Sequence, residues 1–183
     1  MLEFQKGNKA SFEALMRKYY GRVLNFVYRF VNNRGMAEDI TQDVFVKIYK
    51  SASGYKPKAK FQTWVFTIAK NTAFNEYRHL NRHGYSLDES FANGSESYQS
   101  VLIDEQAEKP DERLKKAETV KVIREALQAL PEQQRAAVIL RRYQNFSYEE
   151  IAQTMGTSVK AVKSLLNRAK ENLKNMLSKH FED

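Results

Sequence analysis

Apolar side chains recur at helical spacing over most of the chain, and interruptions of that period mark where the predicted helices end. In the first part of the chain the apolar positions are Phe12, Leu15, Met16, Tyr19, Val23, Phe26, Val27 and Phe30, followed by Ala37, Ile40, Val44, Phe45 and Ile48. This spacing is typical of amphipathic helices, and the break from Asn32 to Gly35 predicts the end of one helix and the start of another. No segment alternates as a strand does, so the sequence predicts an all-α fold.

The helical period stops near Gly84 and resumes after Pro110. The stretch between them is rich in Ser, Asp and Glu, a composition that favours an extended or disordered linker. Beyond it, apolar positions at helical spacing return at Val120, Ile123, Leu127 and Leu130. We therefore predict two small helical domains, residues 1–83 and 113–183, joined by a flexible acidic linker over residues 84–112.

The distribution of charge follows the same division. The net charge of +8 is made up of +9 in residues 1–83, −7 in residues 84–112 and +6 in residues 113–183. Two basic modules on one chain are typical of proteins that bind a phosphate backbone at two places, although many proteins are mildly basic for other reasons.

Composition also limits the class of protein. The sequence has no cysteine, which excludes disulfides, thiolate metal sites and cysteine nucleophiles and fits a reducing compartment. It shows neither an apolar run of membrane-spanning length nor the apolar core of a signal peptide at its start. We therefore expect a cytoplasmic protein that does not insert into a membrane.

The stretch from residue 61 to residue 80, FQTWVFTIAKNTAFNEYRHL, carries aromatic side chains on several faces of a predicted helix. One broad apolar face is expected to be buried; it comprises Phe61, Trp64, Val65, Ile68, Ala69 and Thr72. Phe74 falls outside that face, among Lys70, Asn71 and Arg78. Two interpretations remain open at this point: a contact with a neighbouring helix, or a nucleic-acid surface on which rings stack against unpaired bases.

The segment from residue 147 to residue 170 has the pattern of a helix-turn-helix. Ser147 and Glu150 form a predicted capping box, Gly156 permits the left-handed turn between the helices, and Thr157 stands where an apolar residue is usual. The second helix then presents a polar and basic face made of Lys160, Lys163, Ser164, Asn167 and Arg168. The alternative interpretation of this segment is a helical hairpin with a solvated basic face. The combined pattern favours DNA recognition in the major groove.

With these motifs in order, the chain from about residue 12 to residue 177 resembles a bacterial RNA polymerase sigma factor of the extracytoplasmic-function group. Three stretches carry the resemblance. AEDITQDVFVKIYK, 37–50, resembles the family's polymerase-binding helix, and FQTWVFTIAKNTAFNEYRHLNR, 61–82, resembles its promoter-melting and minus-ten-recognition helix. LPEQQRAAVILRRYQNFSYEEIAQTMGTSVKAVKSLLNRAKENL, 130–173, resembles its minus-thirty-five-binding domain.

The resemblance implies roles for individual residues. Asn71 and Asn75 match positions where one base of the opened non-template strand is recognised, and Trp64 matches a residue that anchors the fold. Phe74 stands where the family frequently has polar or basic residues, so a role as a stacking ring is our own inference. The expected contacts with the minus-ten region are completed by the basic loop 51–60 and by two further cations of the helix: Lys56, Lys58, Lys60, Lys70 and Arg78. The helix-turn-helix residues above are the expected contacts with the minus-thirty-five element.

The resemblance also implies partners. Asp39, Gln42 and Asp43 project away from the apolar positions of their helix and match the face that docks core RNA polymerase; acidic residues near a helix start are also favourable to its dipole. The acidic linker would pass through the polymerase's active-site cleft and RNA exit path, or serve as an ordinary solvated spacer. Promoter DNA and an anti-sigma factor complete the implied partners.

Two other functions compete with this interpretation. An enzyme is disfavoured because His79 and His83, one turn apart, have no evident third metal ligand, and no phosphate-binding glycine loop or nucleophile motif is present. No cofactor or metal is therefore expected. A stand-alone helix-turn-helix regulator would need a dimerisation or sensor domain, for which the first 83 residues show no signature.

Overall fold

All of the described chain folds into α-helices and their connections, with one short 3-10 turn. The structure is a computed structural model, and it describes residues 1–82 and 110–181. The helices are α1 Leu2–Gln5, α2 Lys9–Val31, α3 Arg34–Lys50, α4 Phe61–Arg82, α5 Pro110–Gln128, α6 Glu132–Tyr143, α7 Tyr148–Met155 and α8 Val159–Phe181, and the 3-10 turn is Ala52–Gly54. The prediction of an all-α fold with two helical domains is confirmed.

The break between α2 and α3 is shorter than the pattern predicted. It consists of Asn32, which ends α2 in the left-handed region at φ 55°, and Asn33, whose side chain accepts a hydrogen bond from the N–H of Met36 at 2.9 Å. Asparagine tolerates the left-handed region and caps helix starts well. Gly35, which the sequence pattern assigns to the break, lies within α3.

Helix α5 begins at Pro110, three residues before the predicted start of the C-terminal domain. Proline suits the first position of a helix because its missing N–H would have no partner within the helix there. Of the predicted linker, residues 84–109 lie outside the described residues. The domain boundaries at residues 83 and 113 remain a prediction.

Each domain contributes large buried side chains to one continuous core. In the N-terminal domain, α2, α3 and α4 bury chiefly Val23, Phe26, Phe30, Val44, Ile48 and Phe66. In the C-terminal domain, α5 to α8 and their connections bury chiefly Leu130, Ile139, Leu140, Phe146, Ile151 and Val162. Burial of a large apolar side chain contributes about 1.5–3 kcal/mol, so these residues supply the main driving force for packing.

The two domains pack directly on each other. The rings of Phe66 in α4 and Phe146, just before α7, meet edge to face with their centroids 5.1 Å apart. The guanidinium of Arg29 in α2 lies 3.7 Å from the centroid of the Tyr143 ring at the end of α6. Helix α4 therefore lies between the rest of its own domain and the C-terminal domain.

Candidate nucleic-acid interfaces

The helix-turn-helix forms as its local sequence predicts. Ser147 accepts a hydrogen bond from the N–H of Glu150 at 3.1 Å, and the Glu150 carboxylate accepts one from the N–H of Ser147 at 2.8 Å. Gly156 ends α7 in the left-handed region at φ 66°, where a glycine carries no steric penalty. Ile151 and Val162 are fully buried and hold α7 against α8. The predicted capping box and turn are confirmed.

One face of α8 is presented to solvent. The five predicted contact residues all lie exposed on it: Lys160, Lys163, Ser164, Asn167 and Arg168. On the opposite face, Val162 and Ala169 are fully buried against the rest of the C-terminal domain. Because one side of the helix is fixed and the other is open, the basic face is available to a groove of DNA without rearrangement of this domain.

The predicted contact residues of α4 are not all exposed. Asn71, Asn75 and Arg78 are exposed, whereas Lys70 and Trp64 are half-buried. Phe74 is only 5% exposed, and its ring stacks on that of Phe30 with centroids 4.8 Å apart and planes 15° apart. Of the two interpretations left open for Phe74, the contact with a neighbouring helix is therefore confirmed, and the ring exposed for stacking on a base is wrong. Phe74 is a core residue, and its ring lies beneath the polar face of α4.

The reason for this burial also explains why α4 carries aromatic side chains on so many faces. Phe66 meets Phe26 of α2 on one side, at 5.6 Å between centroids, and Phe146 of the C-terminal domain on another. Tyr77 meets the Phe30 ring at 5.5 Å. A helix packed from two directions needs apolar side chains over more of its circumference than a helix packed from one.

Positive charge is concentrated over the buried Phe74 ring. The Nζ atom of Lys70 and the guanidinium carbon of Arg78 each lie 5.6 Å from the ring centroid. Burial, followed by repulsion from Arg78, lowers the pKa of Lys70 from its ordinary value. Two cations held this close on one face favour an anionic partner, since an added negative charge would relieve their repulsion.

The basic loop between α3 and α4 has a buried base and exposed lysines. Ala52 and Tyr55 are buried, and the Tyr55 ring contacts the Trp64 ring at 4.9 Å between centroids. The three predicted contact residues of the loop, Lys56, Lys58 and Lys60, are exposed. The half-buried Trp64 thus anchors the loop on α4.

Two carboxylates of the C-terminal domain pair with cations of the predicted minus-ten surface. Glu150 lies 2.9 Å from Lys60 Nζ and accepts a hydrogen bond from Gln62 Nε2 at 2.8 Å, and Glu132 lies 2.9 Å from Arg78 Nε. These pairs involve the exposed ends of Lys60 and Arg78, whose side chains are 73% and 53% exposed. The predicted minus-ten surface is therefore partly occupied by the other domain.

A buried arginine fastens the same domain contact from within. Arg135 of α6 is 3% exposed, and its guanidinium donates to the carbonyl oxygen of Phe30 at 2.7 Å and to both oxygens of Gln128, at 2.6 and 2.7 Å. It also lies 5.3 Å from the Phe30 ring and 5.1 Å from the Tyr77 ring. The sequence analysis missed this residue; the signal is a charged side chain next to Ala136 and Ala137, which are fully buried on the same helix.

The predicted polymerase-binding residues Asp39, Gln42 and Asp43 are all exposed on α3. Beside them an open, almost wholly apolar groove of about 360 Å³ runs between α2 and α3. Its lining comprises Phe12, Met16, Tyr20, Gln42, Phe45, Val46, Tyr49 and Lys50. Val46 and Tyr49 are among the most exposed large apolar residues of the described chain. Such a patch on a protein surface is typical of a binding site for another protein.

Comparison with known proteins decides the family. The family description Sigma-70 region 2 matches residues 15–83, and Sigma-70, region 4 matches residues 121–173. RNA polymerase sigma-H factor of Pseudomonas aeruginosa is 32% identical over 175 residues, which cover 94% of this chain and 89% of that protein. RNA polymerase sigma factor YlaC of Bacillus subtilis is 31% identical over 176 residues, covering 96% and 97%. This chain belongs to the sigma-70 family.

Within the family the chain lies close to the extracytoplasmic-function group. The ECF RNA polymerase sigma-E factor of Escherichia coli K12 is 32% identical over 171 residues, covering 93% of this chain and 88% of that protein. The resemblance inferred from the three sequence stretches is confirmed. The chain is thus a sigma factor, which binds core RNA polymerase and directs transcription initiation at promoters, and the alternative of a stand-alone regulator is set aside.

Two solved structures share the fold. The sigma factor RpoE of Bartonella quintana, solved with the anti-sigma factor NepR, matches with a TM-score of 0.68 at 20% identity and covers 92% of this chain and 97% of that one. CnrH, solved with the cytosolic domain of CnrY, matches with a TM-score of 0.68 at 22% identity and covers 97% and 94%. The folds agree along almost the whole length of each chain.

Residues 1–82 and 110–181 of this sigma factor show neither a candidate metal site nor a candidate membrane span. Among them no three His, Asp or Glu side chains are grouped as metal ligands would be. His79 is exposed, and His83 lies outside the described residues. Over the same residues, no helix combines the length and apolar character that crossing a bilayer requires.

Proposed function

We propose that this sigma factor contacts the minus-thirty-five element through the exposed face of α8, and melts and reads the minus-ten element through α4 and the loop 51–60. The observation that supports this most strongly is the α7–turn–α8 geometry, which leaves Lys160, Lys163, Ser164, Asn167 and Arg168 together on one open face. Lys and Arg donate to phosphates and to guanine, and Asn forms paired hydrogen bonds with adenine. A helix with this face fits the major groove of a duplex.

The minus-ten surface has the chemistry of a single-strand site. Asn71 and Asn75 are exposed one turn apart on α4, with Arg78 following on the same side. Amide side chains hydrogen-bond to the edges of an unpaired base, while cations hold the backbone. Lys56, Lys58 and Lys60 on the adjoining loop, with Lys70 on α4, extend the positive surface along the displaced strand. Trp64 fixes the loop on the helix.

The packed arrangement cannot contact both promoter elements at once. A compact chain of 183 residues has a radius of gyration of about 16 Å. The two elements lie roughly 25 base pairs, or about 85 Å, apart along B-form DNA at 3.4 Å per base pair. The domains must therefore separate when both elements are bound. Lys60 and Arg78 would then exchange Glu150 and Glu132 for phosphates of the promoter.

We place the polymerase contact on α3. Asp39, Gln42 and Asp43 supply exposed polar groups, and the neighbouring apolar groove adds hydrophobic area of the kind that dominates protein interfaces. One of the solved structures that share the fold is of a sigma factor in complex with an anti-sigma factor, which supports an anti-sigma factor as a further partner of this chain. We propose that the protein acts in the cytoplasm by binding and not by catalysing a reaction.

Transcription with purified components tests this function. Core RNA polymerase is mixed with the protein and a pool of supercoiled promoter fragments, and the 5′ ends of the transcripts are sequenced. We expect transcripts that depend on the protein and share minus-ten and minus-thirty-five motifs. The Asp39→Ala, Gln42→Ala double variant should bind core enzyme more weakly with unchanged helicity. Transcripts that start at random would contradict the assignment of promoter recognition. An unchanged affinity of the double variant for core enzyme would contradict the assignment of the docking face.

A further inference from the structure

The first helix of the chain contacts the loop that we assign to the minus-ten element. Helix α1 precedes the region that matches the family, which begins at residue 15. Its Gln5 side chain donates from Nε2 to the carbonyl oxygens of Ala52 at 2.7 Å and Tyr55 at 2.9 Å. Both N–H groups of the amide thus have an acceptor at the base of the loop. The hydrogen bonds join positions 47 and 50 residues apart in sequence.

Helix α1 is held in place by contacts of its own, so the Gln5 side chain that donates these hydrogen bonds has a defined position. The Phe4 ring lies 5.0 Å from the Phe12 ring of α2 and 5.2 Å from the Tyr49 ring of α3, measured between centroids. Gly7 turns the chain back at φ 96°, and its N–H donates to the carbonyl oxygen of Phe4 at 2.9 Å. Aromatic contacts of this kind contribute beyond simple burial. They hold Gln5 against the loop.

The two acceptor residues are the points at which the loop is attached to the domain. Ala52 is 5% exposed and Tyr55 is 8% exposed, and the Tyr55 ring also contacts Phe61 at 5.7 Å between centroids. Beyond Tyr55 the chain enters the exposed segment that carries Lys56, Lys58 and Lys60. The path of that segment therefore begins at a carbonyl that Gln5 holds.

We propose that Gln5 is a positioning residue for base selection at the minus-ten element, acting through the backbone of the loop 51–60. The inference rests on the proposed function, in which that loop contacts the opened strand. Discrimination between bases requires contact groups to be held within a fraction of an ångström. A loop released from one of its attachments keeps its charge, and hence its affinity for phosphate, but loses part of its selectivity.

The donor chemistry of Gln5 allows a sharp test. A glutamine amide presents two N–H donors, whereas an ionised glutamate of the same shape accepts only. Gln5→Glu therefore turns two attractive contacts with carbonyl oxygens into repulsive ones, and Gln5→Ala removes them. Gln5→Arg keeps N–H donors in a planar group. Glu3→Gln on the same helix is the matched control, because Glu3 is exposed and its ion pair is with Lys6, away from the loop.

The experiment uses holoenzyme assembled from each variant and core RNA polymerase. Templates carry a fixed minus-thirty-five element and randomised minus-ten bases, and transcript sequencing gives the preference for each base. We expect Gln5→Glu and Gln5→Ala to reduce minus-ten discrimination by about 3- to 10-fold, Gln5→Glu more strongly. Gln5→Arg should recover part of it and Glu3→Gln should retain it. Core-enzyme affinity and the thermal unfolding midpoint should change little.

An unchanged minus-ten preference in both Gln5→Glu and Gln5→Ala would overturn the proposal. So would a uniform loss of transcription with the same base preference, since that is the result of a purely structural role. A wild-type protein that gives no promoter-specific transcripts would instead refute the proposed function. If Lys56→Ala, Lys58→Ala and Lys60→Ala together left minus-ten transcription unchanged, the loop would not contact DNA and the inference about Gln5 would fail with it.

Discussion

The two helices assigned to promoter contact, α8 and α4, differ in how many sides are packed. Helix α8 is buried on one side, at Val162 and Ala169, and its predicted contact residues are all exposed. Helix α4 is enclosed by α2 and α3 and also by the C-terminal domain. Its Phe74 is buried and stacks on Phe30 of α2, and Lys60 just before the helix pairs with Glu150 of the C-terminal domain. The proposed minus-thirty-five surface is thus exposed in the isolated chain, whereas the proposed minus-ten surface is partly covered. Exposure of the second depends on the domain contact.

The largest difference between substitutions in α4 and in α8 is expected in stability, from Phe74→Ala. Removing a buried phenylalanine costs about 3–5 kcal/mol of unfolding free energy, because the Phe30 ring loses its stacking partner. Urea unfolding measures the change. Asn167→Ala on the exposed face of α8 is the control and should stay within about 0.5 kcal/mol. If Phe74→Ala left stability unchanged but impaired promoter melting, the result would contradict the core role of Phe74 and support its stacking on a base.

The next effect concerns the open face of α8. Lys163→Ala should weaken promoter binding by holoenzyme by about 1–3 kcal/mol, roughly 5- to 150-fold, with no loss of stability. The salt dependence of binding should become less steep if Lys163 contacts a phosphate. Equilibrium binding at several salt concentrations measures both quantities. Lys121→Ala removes the same charge from an exposed position of α5 and should leave promoter binding unchanged; equal losses in the two variants would indicate a general charge effect.

A smaller, pH-dependent effect is expected at the carboxylate that joins the domains. Burial of Glu150 acts to raise its pKa, but hydrogen bonds from the Ser147 N–H, Lys60 and Gln62 outweigh it, and the pKa is lowered from its ordinary value of 4.5. Because the pKa of Glu150 is lower in the folded than in the unfolded protein, its ionised carboxylate stabilises the fold. This stabilisation is fully present at pH values above the unfolded-state pKa and is lost as the pH falls through the folded-state pKa. Stability should therefore fall in acid, below about pH 4.5.

The variant Glu150→Gln isolates this contribution. It should be less stable than the wild type by about 1 kcal/mol near neutral pH, and the difference should shrink in acid, when the wild-type carboxyl group is protonated. Urea unfolding at about pH 7 and about pH 3 compares the two proteins, because the lower pH lies well below the ordinary pKa of the carboxyl group. A difference of equal size at both pH values would show that the charge of Glu150 does not carry the contact.

The smallest effect is expected at the exposed pair of Arg78 and Glu132. Their side chains are 53% and 26% exposed, and surface pairs of this kind contribute about 0.2–1 kcal/mol. Glu132→Gln should lower the unfolding free energy by at most a few tenths of a kcal/mol, while freeing Arg78 for DNA. Urea unfolding measures the change in stability, and an assay of open-complex formation measures the effect of freeing Arg78. A loss as large as that of Phe74→Ala would mean that ion pairing, not apolar packing, holds the domains together.

The same contrast shows which features the sequence could predict. The capping box of Ser147 and Glu150 and the left-handed Gly156 depend on neighbours within a few residues, so their pattern was sufficient. The exposed face of α8 followed from a helix packed on one side. Phe74 and Arg135 depend on contacts with residues 44 and 105 positions away, at Phe30. A helical period records how much of a helix is apolar, but it does not reveal that a second domain covers another face.

The distance between the domains, compared between the free protein and the holoenzyme, tests the central claim most directly. The sequence has no cysteine, so Glu13→Cys in α2 and Glu171→Cys in α8 would be the only thiols available for a pair of fluorescent labels. We predict a single short distance in the free protein and a much longer one in transcriptionally active holoenzyme on promoter DNA. An active holoenzyme that keeps the short distance would contradict the account, because the packed domains would then serve both promoter elements without separating.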